Sequence, residues 1–321
     1  MENNIVLVTG GAGYIGSHLV NELITDGFEV TVLDNLSTGK KENLNPKAKF
    51  IEGDLADQVL LKKVFAEGGF GGVFHMAASL EVEESVRKPK EYFVNNVENS
   101  IKLLDAMAEA GCNKIIFSSS AAVYGETDNE PIKEDFKTKP VNPYGANKLL
   151  IENILEYYSS YMGVQAIIFR YFNACGSAAG TKITSKHTTH LVHNVLEVAR
   201  GAKPSLKVFG EDYPTPDKTC VRDYVHVLDI AKPHILAYKK SAELNKFEII
   251  NIGTRKGSSV KEVIDVAKKT LNLDIPVEMC PRRAGDSAVL VADNAKLKNL
   301  LGYSPSHSSM ENIIKTAWEA L

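Results

Sequence analysis

A short apolar run, Ile5-Val6-Leu7-Val8, meets Thr9-Gly10-Gly11-Ala12-Gly13-Tyr14-Ile15-Gly16, and this junction constrains the fold more than any other stretch. Past it, Ile15, Leu19 and Leu23 recur every four residues, the pattern of one buried helical stripe. Strand, glycine turn and helix together are the context that a dinucleotide fingerprint requires. Gly11-x-Gly13-x-x-Gly16 has the common spacing, and Gly10-x-x-Gly13-x-x-Gly16 is a second, evenly spaced set of glycines. Glycines allow the backbone to approach a pyrophosphate, while the helix N-terminus offers oriented N–H groups. The expected fold class is therefore α/β, a doubly wound parallel (Rossmann) sheet, with Gly10, Gly13, Tyr14, Ile15 and Gly16 at the cofactor.

A second strand, Val30 to Leu33, ends at Asp34, near the interval where a carboxylate accepts hydrogen bonds from an adenosine ribose. That charge repels a 2′-phosphate, and the following Asn35-Leu36-Ser37-Thr38 offers no arginine, so NAD is expected rather than NADP. Asn35, Ser37, Thr38 and Gly39 fall in the same cofactor-binding turn. A third strand from Lys49 brings Asp54 and Leu55 to the adenine edge. A fourth, Val73 to Met76, runs into Ala77-Ala78, small enough for close approach. The helix around Tyr92 to Ala110 carries Asn95-Asn96, of which one amide, assigned to Asn96, faces the cofactor. The fifth strand, Lys114 to Phe117, delivers Ser118-Ser119-Ser120 to its carboxyl end, where ligands bind in open α/β sheets.

Two dozen residues on lies Asn142-Pro143-Tyr144-Gly145-Ala146-Asn147-Lys148. Pro143 suits the first turn of a helix, where its missing N–H is no loss, and Leu149 to Tyr161 continue at helical spacing. Tyr144 and Lys148 then project to one side. An ammonium beside a phenol favours the phenolate, which can take a proton from a substrate hydroxyl. Ser120 is the expected hydrogen-bond partner of that hydroxyl.

Bulk properties narrow the setting. Lys+Arg at 37 against Asp+Glu at 40 leaves a formal charge of −3, so no global field favours nucleic acid. Cys112, Cys175, Cys220 and Cys280 are widely spaced without a C-x-x-C, which argues for reduced cytosolic thiols. The first apolar run is too short for a signal peptide or a membrane span. A soluble cytoplasmic protein without membrane contact is expected. His187, His190 and His193 recur every third residue, but no acidic or cysteine ligand joins them, and no metal is expected.

With the glycine turn, Asp34, the serine run and the Tyr/Lys pair in order, the chain resembles the extended short-chain dehydrogenase/reductase family, within it the nucleotide-sugar enzymes. The resemblance spans essentially the whole chain. Its specific segments include Arg170-Tyr171-Phe172-Asn173, Phe209 to Thr215, Val221 to Val227 and Pro281-Arg282-Arg283-Ala284-Gly285-Asp286. It implies an NAD-dependent isomerase acting on a UDP-hexose by 4-epimerisation through a transient 4-keto sugar. Tyr144 would be the base, Lys148 its electrostatic partner and ribose ligand, and Ser120 the hydroxyl's partner. Tyr171 would border the nicotinamide. Asn173, His190, Leu191, Lys207, Phe209, Arg222, Arg283 and Asp286 would hold the UDP-sugar, the arginines gripping its diphosphate. Residues 1–173 would form the NAD-binding domain, rejoined by about 220–252, and 174–321 the nucleotide-sugar lobe. A homodimer through the helices near Tyr92–Ala110 and Leu149–Tyr161 is implied as well.

Related 4,6-dehydratases carry an Asp-Glu pair before Val-Tyr-Gly, where this chain has Ala121-Ala122, so elimination lacks its acid and base. Leu80 stands where some relatives have a lysine, and Leu290 where the residue beside the sugar C2 is bulky or small. A 4-epimerase of UDP-N-acetylhexosamine, UDP-glucuronate or a UDP-pentose is the alternative within enzymes. An NAD-binding regulator without activity is the alternative outside them.

Overall fold

The computed structural model describes residues 3–127, 131–183, 190–283 and 287–321. Seven parallel strands form the central sheet in the order Phe247–Ile252, Gln165–Tyr171, Lys114–Ser120, Gly72–His75, Ile5–Thr9, Glu29–Asp34, Lys49–Glu52. The winding reverses between Ile5–Thr9 and Gly72–His75, which opens a crevice at the strands' carboxyl ends. Both faces of the sheet are covered, and the strands accordingly read as continuous apolar runs: Val6, Leu7 and Val8 are all buried, as are Ile115, Ile116 and Phe117. One core cluster lies on each side of the sheet.

The expected helix after the fourth strand is not uniform. Pro89–Tyr92 and Asn99–Glu109 are α-helical, but Phe93–Glu98 between them widens into a π-helical turn. Such turns insert a residue into the helical register and concentrate at functional sites. Here it carries Asn95 and Asn96. Helix Pro143–Met162 forms as expected, with the Asn142 side chain accepting from Gly145 N–H at 2.8 Å and Gly163 closing it in the left-handed region.

A second lobe has its own core of Val192, Val195, Leu196, Leu206, Val208, Val263, Ile264, Ile313 and Ile314 among others. Its small sheet pairs Val221–His226 with Asn173–Cys175, Gly257–Ser259 and Val289–Leu290. The segment expected to rejoin the first domain, about 220–252, is divided: Val221–His226 pairs in this small sheet, whereas Ile230, Ala231, Ile235 and Tyr238 join the core beside the central sheet. Only Phe247–Ile252 joins that sheet itself, in register with Ala166 to Tyr171, while helix Val227–Lys239 packs on helix Tyr14–Thr25. Among the described residues no helix is long and apolar enough to cross a membrane.

Four histidines are sealed in the interior: His18, His75, His226 and His234. Burial holds their pKa values down, to about 4 for His18, His226 and His234 and about 3 for His75. A depressed folded-state value means stability that is present above pH 6.5 and lost as the pH falls toward 4. At pH 5 each histidine then removes up to about 2 kcal/mol. The melting temperature is expected to be level above pH 6.5 and to fall steadily below it; calorimetry that found it unchanged down to pH 5 would contradict this account.

Candidate active site

The crevice is a cleft of about 880 Å³ that reaches from the glycine turn to the second lobe. Gly10 adopts φ +71°, and a Cβ there would lie 2.6 Å from the Ala77 amide nitrogen; one on Gly16 would lie 2.2 Å from the Gly10 carbonyl. The turn can therefore form only without side chains, and it leaves a backbone cradle at a helix N-terminus that fits a pyrophosphate. Asp34 is positioned by its own turn, accepting from Ala12 N–H at 2.9 Å and from Leu36 N–H at 2.8 Å. Asn35 donates to Asp54 at 2.7 Å, so the two carboxylates are set along one wall.

Of the residues expected at a cofactor, Gly10, Gly13, Tyr14, Ile15, Gly16, Asp34, Asn35, Ser37, Thr38, Asp54, Leu55, Met76, Ala77, Ala78, Ser118, Tyr144, Lys148 and Tyr171 line this cleft. Two do not. Asn96 is fully occupied behind it: its oxygen accepts from Ser79 N–H at 2.8 Å, and its nitrogen donates to the Ser79 carbonyl at 3.0 Å and to Asn147 at 3.3 Å. The π-helical turn aims it at the backbone that forms the wall, while Asn95 and Asn99 line the cleft. Gly39 instead packs on Ala12, where a Cβ would come within 2.8 Å of the backbone. Tyr171 is among the lining residues, but its hydroxyl donates to His234 at 2.5 Å.

Ser120, Tyr144 and Lys148 meet at the middle of the cleft. Strand Lys114–Ser120 delivers the serine and helix Pro143–Met162 the other two. The Lys148 ammonium donates to the Ser118 carbonyl at 2.6 Å and lies 5.9 Å from the centre of the Tyr144 ring. The expectation of a phenol acidified by Lys148 is not met by the chain on its own. Burial pushes the Tyr144 phenol up, with the Ser120 hydroxyl pulling it down. Burial likewise takes Lys148 down to about 7, although Glu152 opposes this. In both groups the largest cause is desolvation, which disfavours the charged form.

On the far side, Asn173, His190, Arg222, Arg283 and Leu290 line the cleft. Arg283 rests on the Phe209 ring at 3.9 Å, so Phe209 supports the guanidinium from outside the cleft. The neighbouring Arg282 is turned away onto Tyr213 and Asp212. Leu191 belongs to the lobe's core packing, and Lys207 projects to solvent from a strand whose neighbours Leu206 and Val208 point inward. Asp286 and His187 lie outside the described residues. Among the described residues no three His, Cys, Asp or Glu side chains are placed to hold a metal ion.

Arg170 stands in one of the specific sequence segments, but no motif names the buried partner it finds. Arg170 grips Glu152 with two bonds, Nε to Oε1 at 3.0 Å and Nη2 to Oε2 at 2.6 Å, and stacks over Tyr124 at 4.8 Å. Ser119 donates to the same carboxylate. A local signal for it does exist: Glu152 follows Lys148 by four residues and so shares the helix face that carries Tyr144.

A family profile described as the NAD dependent epimerase/dehydratase family matches residues 6–253. The chain is 46% identical to a UDP-glucose 4-epimerase of Corynebacterium glutamicum over 98% of its own length and 94% of that protein's. It is similar to the crystal structure of UDP-glucose 4-epimerase from Brucella ovis in complex with NAD, with a TM-score of 0.94 and 40% identity, covering 98% and 97% of the two chains. The Bifidobacterium longum UDP-glucose 4-epimerase in complex with NAD+ and UDP matches with a TM-score of 0.91 at 36% identity, again covering 98% and 97%.

Proposed function

Because the chain belongs to the NAD dependent epimerase/dehydratase family, we propose that it interconverts UDP-galactose and UDP-glucose by NAD-dependent 4-epimerisation through a transient 4-keto sugar. The observation that carries this reading is the convergence of Ser120, Tyr144 and Lys148 in a cleft whose ends are a glycine cradle and two arginines. Bound NAD supplies the acceptor and later the donor of the hydride at the sugar C4. The chain does the rest. Tyr144 removes the C4 hydroxyl proton and returns it, Ser120 orients that hydroxyl, and Lys148, anchored on Ser118, holds the ribose side and the local field. Arg222 and Arg283 bind the diphosphate, leaving the hexose at Tyr144. Beside Ser120, Ala121 and Ala122 line the cleft without a carboxyl group, so this family's dehydratase chemistry lacks its acid and base there.

The test is a coupled assay of the purified protein on UDP-galactose, run beside a small panel of other UDP-sugars. Turnover of UDP-galactose without net NADH formation is expected. Stoichiometric release of NADH or of an oxidised sugar would overturn the proposal.

The protein is further read as a cytoplasmic homodimer. Tyr157, Tyr161 and Met162 on the Pro143–Met162 helix are 65%, 80% and 53% exposed, and Phe93, Val94 and Ile101 are exposed on the facing stretch. Apolar side chains concentrated in this way mark an interface. Light scattering is expected to give twice the 35.1 kDa chain mass, and a monomer at micromolar concentration would refute the assignment.

A further inference from the structure

Beyond Asn173–Cys175 the chain passes directly over helix Tyr14–Thr25, and two side chains of that helix hold it there. The Tyr14 hydroxyl donates to the Gly176 carbonyl. His18, one turn later, reaches the next two residues. Its Nδ1 lies 2.8 Å from the Tyr14 carbonyl, which can only accept, so Nδ1 carries the proton. Its Nε2 receives the Ala178 N–H at 3.0 Å, with the Ser177 hydroxyl at 3.2 Å, so Nε2 is bare. The surroundings thus specify both the tautomer and the neutral state. His18 is wholly buried, and its ring stands edge-on to Tyr14 at 5.4 Å.

The loop is also seated on its own lobe. Gly176 has φ +79° and presses on His226, where a Cβ would meet the ring at 2.4 Å, and Ser177 N–H donates to Thr316. Gly13 and Tyr14 on one wall and Gly176 and Ser177 on the other line the same cleft. Tyr14 and His18 therefore both join the two walls, and His18 is the one that does so by accepting a backbone N–H.

We infer that His18 is a positioning residue for the dinucleotide: by accepting the Ala178 N–H it fastens the Gly176–Ala178 loop to the glycine-turn helix and sets how long NAD stays bound. This rests on the NAD-dependent reading above. The charged or titratable groups around it are Tyr14 on its own helix, Cys175 ahead of the loop, and His226 with Asp229 and His307 behind it. Burial keeps the His18 imidazole at about 4, so the fastening holds above pH 6.5 and weakens as the pH falls toward that value.

The experiment measures NAD content and NAD release from the purified full-length protein. If the wild-type chain neither carries nor binds NAD, the cofactor reading itself fails, independently of His18. Given binding, His18→Leu removes the acceptor and should release NAD roughly tenfold faster. His18→Gln, whose amide oxygen can take the Ala178 N–H, should stay within about threefold of wild type. Wild-type release should also quicken between pH 6.5 and 5, and His18→Gln should weaken that dependence, the remainder belonging to His226 behind the loop. Should His18→Leu not fold, the comparison of wild type with His18→Gln across pH decides alone. Equal release from His18→Leu and wild type, release from His18→Gln as fast as from His18→Leu, or an unaltered pH dependence in His18→Gln would each overturn the inference.

Discussion

Replacing Tyr144 by phenylalanine is expected to lower epimerisation about a thousandfold while NAD remains bound. The substitution removes one oxygen atom and keeps the ring, so the packing of helix Pro143–Met162 is preserved. What disappears is the only group that the proposed chemistry uses to take the C4 proton and give it back, and positioned acid–base catalysis contributes roughly 10²–10⁴ in rate. The retained cofactor makes the result specific, because the bonds that set the glycine turn and Asp34 run to backbone N–H groups and not to the phenol. Steady-state turnover together with NAD content after gel filtration checks it. Turnover within a few-fold of wild type would remove Tyr144 from the mechanism.

The second large effect is on stability. Arg170→Leu should destabilise the fold by about 3–5 kcal/mol, since it strands the Glu152 carboxylate in the interior. Arg170 and Glu152 are 3% and 2% exposed, so bulk solvent does not replace the lost bonds. Glu152 also receives the Ser119 hydroxyl, and Arg170 reaches the Glu134 carbonyl at 3.1 Å. The pair therefore joins helix Pro143–Met162 to the strands that carry Ser120 and Tyr171. Removing both charges together, Arg170→Leu with Glu152→Leu, should recover a large part of the loss, because no uncompensated charge remains. Denaturant midpoints of the three proteins measure this. A single variant that lost less than about 1 kcal/mol would show that the carboxylate finds another partner.

Much of this protein is legible in the order of its residues. The glycine turn, the strand ending in Asp34 and the serine run at the end of the fifth strand each depend on short-range spacing, and each appears where that spacing places it. Arg222, Arg283, Asn173 and His190, more than a hundred residues from the glycine turn, follow from the family resemblance rather than from periodicity. The fold brings them to the same cleft. Asn96, Gly39, Leu191 and Lys207 are expected at ligands too; in the fold Asn96 bonds Ser79, Gly39 packs on Ala12, Leu191 joins the second lobe's core and Lys207 is exposed. A one-residue change of register, such as the π-helical turn at Phe93–Glu98, exchanges which of two neighbouring amides faces the cleft, and composition carries no sign of it.

What the sequence determined by itself is the kind of sheet, the order of its elements and the presence of a Tyr/Lys pair on one helical face, because helix and strand periods are local properties of the chain. What only the tertiary structure decided is the electrical state of that pair, the tautomer of His18 and the burial of Arg170 with Glu152. Each of these is a balance between desolvation and a few bonds to residues distant in sequence, and neither side of that balance exists until the chain has closed around it.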